Sequence, residues 1–219
     1  MRRFTDRAAA GRTLAARLTG RGLRRPVVLA LPRGGVPVAA EIARALGAPL
    51  DLVPVARIAV PEQPALALGA VVDGAPPTAV INDTIRRLAV IDDTGLEALR
   101  TRALAELRAC RARYRPAGTR VPLRGATAIV VDDGIATGAT SRAALIALRR
   151  AGPARLVLAV PVAPGDTIQM LRQRADDVVC LETPVPFHAI GDCYRDFAPV
   201  DDGEVATLLA RHAEMRGTA

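Results

Sequence analysis

Asp132 and Asp133 follow the apolar run Ala128-Ile129-Val130-Val131 and precede a stretch of small residues, Gly134-Ile135-Ala136-Thr137-Gly138-Ala139-Thr140. Where a buried strand meets solvent, consecutive side chains diverge to opposite sides, so two adjacent carboxylates can together accept hydrogen bonds from a vicinal diol. The small residues lead into Ser141-Arg142-Ala143-Ala144-Leu145, which is helical by pattern. Free backbone N–H groups and the threonine hydroxyls therefore converge on an anion at a helix N-terminus. One end of the stretch suits a ribose and the other a phosphate. The plainer alternative for the two aspartates is an acidic helix cap.

A second strand-turn-helix pattern lies upstream, at Pro26-Val27-Val28-Leu29-Ala30-Leu31-Pro32-Arg33-Gly34-Gly35-Val36-Pro37, with the helix running to about Leu46. Gly34 and Gly35 permit backbone angles closed to other residues, which lets N–H groups approach a phosphate, and Arg33 can add a bidentate charge contact. Taken alone, this is also what an ordinary strand-to-helix turn looks like.

Together these segments resemble the type I phosphoribosyltransferases. The fingerprint of that family is an apolar strand, two acidic residues, two spacers and a small-residue loop ending in Thr-Gly-x-Thr, here Ile129 to Thr140. The resemblance implies that Asp132 and Asp133 hold the 2′ and 3′ hydroxyls of phosphoribosyl pyrophosphate (PRPP). Ala136, Thr137, Gly138, Ala139 and Thr140 would hold its 5-phosphate, and Arg33, Gly34 and Gly35 its pyrophosphate, with a cis peptide near Pro32-Arg33 or Arg33-Gly34. Arg57 falls where many relatives place a further basic pyrophosphate contact.

The family's activity is transfer of the phosphoribosyl group to a nitrogen of a nucleobase-like acceptor, with Mg²⁺ carried on PRPP; which protein groups touch the metal stays open. Arg33, Asp132 and Asp133 would be the catalytic set. The segment from 183 to 199 resembles the family's hood over the acceptor, with Phe187 as the ring that stacks on a planar base. Its alternative is a packing anchor for the hood, the role assigned to Tyr194 and Phe197, and His188 reads as an exposed loop residue. Ala136 departs from enzymes acting on 6-oxopurines, which commonly have an aspartate there, so such an acceptor is disfavoured. A different class of function, a PRPP- or nucleotide-sensing regulatory protein on the same fold, is the alternative to catalysis.

The elements that must position these residues follow from periodicity. Strands alternating with helices imply an α/β fold, a mostly parallel twisted sheet with helices on both faces and a small C-terminal hood, with ligands at the C-terminal ends of the strands. The chain of 219 residues fits one such domain over 1–219. A flanking helix at 5–19, a second strand at 50–57, a long helix from 92 to about 113, a helix at 138–151, a strand at 156–162, a helix at 165–174 and a strand at 177–181 are expected. Residues 58–83, rich in proline and glycine, read as a mobile loop and then a hairpin, the family's catalytic-loop region.

All 30 basic residues are arginine and the net charge is +8. Solvated helix faces account for this more simply than nucleic-acid contact, since the basic run at 108–115 lacks a series of interleaved aromatics, Tyr114 being its single ring. Three widely spaced cysteines without a CxxC pair argue against a disulfide framework or zinc site and for a reducing, cytoplasmic setting. Met1-Arg2-Arg3-Phe4 hints at a twin-arginine signal, but the charges and glycine at 6–12 interrupt the apolar segment such a signal needs. No GxGxxG follows a strand and no Gly-Lys-Thr/Ser ends the loop, which disfavours a nicotinamide-binding fold and a P-loop NTPase. Pairing of two copies through helices beside the site is what the resemblance suggests.

Overall fold

The computed structural model describes residues 4–74, 76–114 and 121–217, so Met1-Arg2-Arg3 of the signal-like opening and Arg115 of the basic run lie outside the described residues. In chain order the first half contains α1 (Arg7–Leu18), β1 (Pro26–Ala30), α2 (Gly35–Leu46), β2 (Leu50–Leu52), β3 (Val55–Val60), β4 (Gln63–Val72), β5 (Thr78–Ile81), α3 (Asp83–Leu88) and α4 (Asp93–Tyr114). The second half contains β6 (Thr127–Val131), α5 (Ala139–Arg149), β7 (Arg155–Val162), α6 (Gly165–Arg172), β8 (Asp177–Glu182), a 3₁₀ turn at Ile190–Cys193, and α7 (Asp202–Gly217).

The central strands β1, β6 and β7 are mostly aliphatic, have no face to offer water and must be covered on both sides. With β2 and β8 at the edges they form a parallel sheet in the order β2-β1-β6-β7-β8. The period of two sorts each strand between two cores. Val27, Leu29, Ala128, Val130, Leu156 and Leu158 pack against α5 and α6, while Val28, Ala30, Ile129, Val131, Val157 and Ala159 pack against α1, α2 and α7. Ile129 and Leu158 are fully enclosed, and burying a side chain of that size contributes about 1.5–3 kcal/mol.

The expected second strand at 50–57 is divided. β2 pairs with β1 up to Leu52, after which Pro54, lacking an N–H, cannot extend the ladder, and β3 joins a different sheet. That second sheet is an antiparallel meander, β3-β4-β5. The hairpin expected near its end is β4–β5. The stretch expected as loop before it is a ladder instead, in which Val60 pairs with Gln63 around a two-residue turn whose Glu62 has a left-handed φ of 63°. Proline and glycine there mark the turn and the register shifts at Ile58, Ala59 and Val60. Ile58, Val60, Leu68 and Val71 bury one face against Ala103 and Leu107 of α4, whose observed span matches the expected long helix. The short α3 was not anticipated; Asn82 Oδ1 starts it by accepting from the N–H groups of Thr84 and Ile85 at 3.1 and 3.3 Å.

Candidate active site

β1 and β6 are neighbours in the sheet, with Ala30 opposite Val131, so the turns that follow them lie side by side. The Leu31 N–H donates to the Val131 carbonyl at 2.9 Å, which extends the ladder one step beyond β1 and presses the two turns together. A Cβ built on Gly34 would stand 2.1 Å from Asp133 Oδ2, and one on Gly35 would stand 2.6 Å from the Val131 carbonyl oxygen. The sequence suggested that these glycines supply unusual backbone angles. Gly34 instead has φ −60° and ψ −31°, ordinary right-handed values, and glycine is required because there is no room for a side chain. The Pro32-Arg33 peptide bond is cis, at one of the two positions expected.

The two aspartates have different surroundings. Asp133 is buried, and its Oδ2 accepts from Nε of Arg7 in α1 at 2.7 Å. Its carbonyl accepts from the Tyr194 hydroxyl at 2.5 Å. Asp132 is half-buried and its Oδ1 accepts from the Asp133 N–H at 2.9 Å. Burial, and then the adjacent charge of Asp133, push the Asp132 carboxyl well above the usual carboxylate range. The pair thus combines a carboxylate fixed by a cation with a neighbour whose charge its surroundings oppose, and both carboxyls carry oxygens able to accept from a diol.

The anion end is built at the start of α5. Gly138 sits at the N-cap with φ 73°, a left-handed conformation that glycine adopts without a steric cost, and no side chain caps the helix. The first-turn N–H groups are therefore left without an intrahelical acceptor. Thr167 Oγ1 donates to the Ala136 carbonyl at 3.0 Å and pins the loop to α6. Ala136 and Thr137 are exposed, and Ala139 and Thr140 half-buried. Thr137 and Ala139 line a small cavity of about 80 Å³ together with Asn82, Arg142 and Met170.

The remaining expected residues are more dispersed. Arg33 is 55% exposed and its Nη1 lies 3.6 Å from Oδ1 of Asp202 at the start of α7. Asp202 is also bound by the Tyr114 hydroxyl and by Arg113 Nη1. The Tyr114 bond, ahead of the nearby arginines, holds the Asp202 carboxyl below its ordinary value, while burial and then Asp202 push the Tyr114 phenol up to about 12. Arg57 lies mid-strand in β3, exposed, opposite Ala70, and not at the end of a strand of the parallel sheet as the sequence suggested. Phe187 is half-buried against the cluster formed by Phe4, Ala10, Val162, Cys193 and Tyr194, and His188 is exposed.

Arg7 and Tyr194 acquire positions at the site that their sequence context did not assign, and Gly134, expected there as a spacer that loosens the backbone beside the diol pair, acquires a packing role. A Cβ at Gly134 would meet Ile190 Cγ2 at 2.4 Å, so the missing side chain is what lets the 3₁₀ turn of residues 190–193 close over Asp133. The adjacency of the two carboxylates was the only pointer to a counter-charge. Which of the many arginines supplies it depends on a contact across 126 positions. A larger cavity of about 360 Å³, lined by Asp51, Asp73, Thr78 and Arg150 among others, lies toward the C-terminal end of α5 and includes none of the expected site residues.

A parallel α/β sheet with two small-residue turns at the ends of adjacent strands, one bearing paired acids and one an arginine, is an arrangement able to receive an anion beside a pair of carboxylates. Residues 95–197 match the family described as the phosphoribosyl transferase domain. The chain is 46% identical over 211 residues to a protein of Mycobacterium tuberculosis provisionally named a phosphoribosyl transferase. That match covers 96% of this chain and 47% of the relative, so the chain spans about half the length of the curated relatives it matches. Among solved structures it is similar to TT1426 from Thermus thermophilus, at 43% identity and a TM-score of 0.81, covering 95% of this chain and 98% of that one. AQ2163 from Aquifex aeolicus, 10% identical with a TM-score of 0.51 over 81% of this chain and 74% of its own, shares the fold. The chain belongs to the phosphoribosyl transferase family, and its sheet and flanking helices are those of that fold. Among the described residues no helix is long and apolar enough to cross a membrane.

Proposed function

We propose that the protein is a PRPP-dependent phosphoribosyltransferase that moves the 5-phosphoribosyl group to a nitrogen of a small nucleobase-like acceptor and releases pyrophosphate. The observation that carries this is the contact between two motifs distant in sequence: Gly34 lies against the Asp133 carboxylate so closely that a single methyl group could not be inserted. A ligand whose ribose hydroxyls meet Asp132 and Asp133 has its anomeric carbon near the Arg33-Gly34-Gly35 turn and its 5-phosphate near Thr137 to Thr140.

In this scheme the acceptor nitrogen forms a bond to ribose C1 as the bond from C1 to pyrophosphate oxygen breaks, with inversion. Positive charge develops on the ribose ring and negative charge on the leaving group. The backbone N–H of Gly34 stabilises the latter, joined by that of Gly35 on leaving its 3.1 Å bond to the Leu31 carbonyl, and by Arg33, which exchanges its exposed contact with Asp202 for the pyrophosphate. Arg57, exposed on β3, is assigned as a further basic contact of the pyrophosphate. Phe187 and the hood cover the acceptor.

Among the described residues no cluster of three or more acidic, histidine or cysteine side chains forms a metal cage. Mg²⁺ would arrive on the substrate's phosphates, since this ion commonly takes few protein ligands, and Asp132 and Asp133 are the carboxylates that could meet it. Bound there, it would neutralise charge on the departing pyrophosphate. The three free thiols agree with a reducing cytoplasmic setting.

Calorimetric titration with PRPP and Mg²⁺, followed by a panel of purine, pyrimidine and other nitrogenous acceptors with pyrophosphate detection, tests the proposal. Acceptor-dependent pyrophosphate release is expected. Replacing both aspartates by asparagine should cost about 1.5–3 kcal/mol of PRPP binding for each charge-assisted hydrogen bond lost. Binding without release from any acceptor would instead indicate a sensor, and unchanged affinity in the double variant would remove the diol assignment.

A further inference from the structure

We propose that Arg7 is a positioning residue of this site, holding the Asp133 carboxylate in place for the ribose hydroxyls and fastening the hood to that same carboxylate. The proposal rests on the PRPP assignment made above. No feature of the fingerprint points to α1, yet the guanidinium of Arg7 is fixed on three sides. Nε donates to Asp133 Oδ2 at 2.7 Å, Nη1 donates to the Ala198 carbonyl at 2.7 Å, and the guanidinium lies over the Phe197 ring, 3.9 Å from its centroid. Both partners of the ion pair are largely enclosed, each side chain being 11% exposed.

A carboxylate taken this far from water requires a hydrogen-bonded counter-charge, and Arg7 is the one basic side chain within ion-pair distance of Asp133 among the described residues. Asp132, next to it, increases that requirement. The same Oδ2 is pressed by the backbone of Gly34, so Arg7 on one side and the pyrophosphate turn on the other leave Asp133 a single orientation, with Oδ1 as the oxygen not engaged by Arg7. A planar fork suits this task, because it can bond in its plane and stack at the same time, which an ammonium cannot do.

The arginine also sits at a seam. Phe4 donates its N–H to the Cys193 carbonyl and accepts from the Arg195 N–H, Thr5 accepts from the Asp196 N–H, and Phe4 and Tyr194 rings lie 5.6 Å apart. Residues 4–7 and the hood therefore form one sewn edge, and Arg7 is the stitch that reaches from this edge to the candidate ribose carboxylate. Positioning Asp133 and holding the hood are done by a single group, so loss of Arg7 should disturb ribose binding through Asp133 and not merely loosen the protein.

PRPP–Mg²⁺ affinity measured by calorimetry on the full chain tests this, in wild type, Arg7→Met, Arg7→Lys, Asp133→Asn and the Arg7→Met/Asp133→Asn double variant, with melting temperatures recorded for each. Arg7→Met should weaken binding roughly 10- to 100-fold, the range for a lost charge-assisted hydrogen bond, and Arg7→Lys should recover part of that. Beside Asp133→Asn, removal of Arg7 should cost little more. Arg12→Met is the control: it removes a charge from the same helix, where Arg12 pairs with Glu41 at 3.7 Å, and should leave affinity as in wild type. An equal loss from Arg7→Met in both backgrounds, or a loss of the same size from Arg12→Met, overturns the positioning role. If Arg7→Met does not fold, Arg7→Lys carries the same comparison, its loss expected in the wild-type background and absent beside Asp133→Asn. A wild-type protein that does not bind PRPP overturns the ligand assignment and the role of Arg7 with it. Wild-type binding that survives Arg7→Met unchanged overturns Arg7 alone.

Discussion

Gly34→Ala is the smallest change that interrogates the juxtaposition on which the site depends. The added Cβ would fall 2.1 Å from Asp133 Oδ2 and 2.6 Å from its Cγ. Either the pyrophosphate turn or the carboxylate must retreat by about 1 Å before the contact is tolerable. The carboxylate is the end of a short side chain already engaged at 2.7 Å by Arg7, and its residue is anchored through the carbonyl by Tyr194, so its retreat stretches an enclosed ion pair. Overpacking of this kind costs about 1–3 kcal/mol, and weakening a hydrogen bond to a charged group about 1.5–3 kcal/mol, so a total near 3–5 kcal/mol is expected. For a chain of this size that corresponds to a fall in melting temperature of about 6–20 °C in a calorimetric scan. PRPP affinity should fall in parallel, because the turn and the diol pair separate. Gly165→Ala is the reference, since nothing lies within 4 Å of its Cβ position and its φ is not left-handed; it should be neutral. A Gly34→Ala protein that melts with the Gly165→Ala protein and binds PRPP as wild type does would refute the packed-turn geometry.

Asp132→Asn should make stability less sensitive to rising pH. The folded protein raises the carboxyl of Asp132, so the stability contributed by its protonated form is present at low pH and lost as pH rises through the folded value. Melting curves at about pH 5 and about pH 9 should show the variant gaining on wild type at the alkaline end. Asp176→Asn should act at the other end. Arg149, at 2.8 and 2.9 Å, holds the Asp176 carboxyl below its ordinary value, so its contribution is present above the unfolded value and disappears as pH falls through the folded one; the variant's acid unfolding limb should be shallower. Gly134→Ala, whose Cβ would meet Ile190 at 2.4 Å, should destabilise by about 1–3 kcal/mol and raise acceptor KM more than that of PRPP in steady-state assays.

The parallel sheet and its order of elements were legible because its central strands are aliphatic runs and the helices between them have their own period; Val28 to Ala30 and Ile129 to Val131 left little choice. The division at Pro54 was harder, since residues on both sides of it favour extended backbone and only the pairing partner changes. Residues 58–69 misled because proline and glycine signal turns and bulges as readily as loops, and the ladder to β4 is set by contacts with α4 that lie some 40 positions away. At the site, local motifs revealed Asp132, Asp133 and the two glycine turns. Arg7 and Tyr194 could not be found that way, because nothing near them in the chain differs from a surface helix or a packing aromatic. Arg33 lies on the turn after β1 that its sequence position implies, although its partner Asp202 was invisible for the same reason.

The sewn edge between residues 4–7 and the hood has a consequence for synthesis. Arg7 leaves the ribosome well before one of its partners, the carbonyl of Ala198, which lies 191 positions later. Long-range contacts of this kind close late, after the entropy of the intervening loop has been overcome. The parallel strands β1 and β6 can pair while the hood is still being made, but Asp133 receives its full set of neighbours only when Tyr194, Phe197 and Ala198 have left the exit tunnel. A nascent chain therefore gains its sheet before it gains a finished pocket, and premature termination anywhere in the hood would release a protein with a folded centre and an unfastened Arg7.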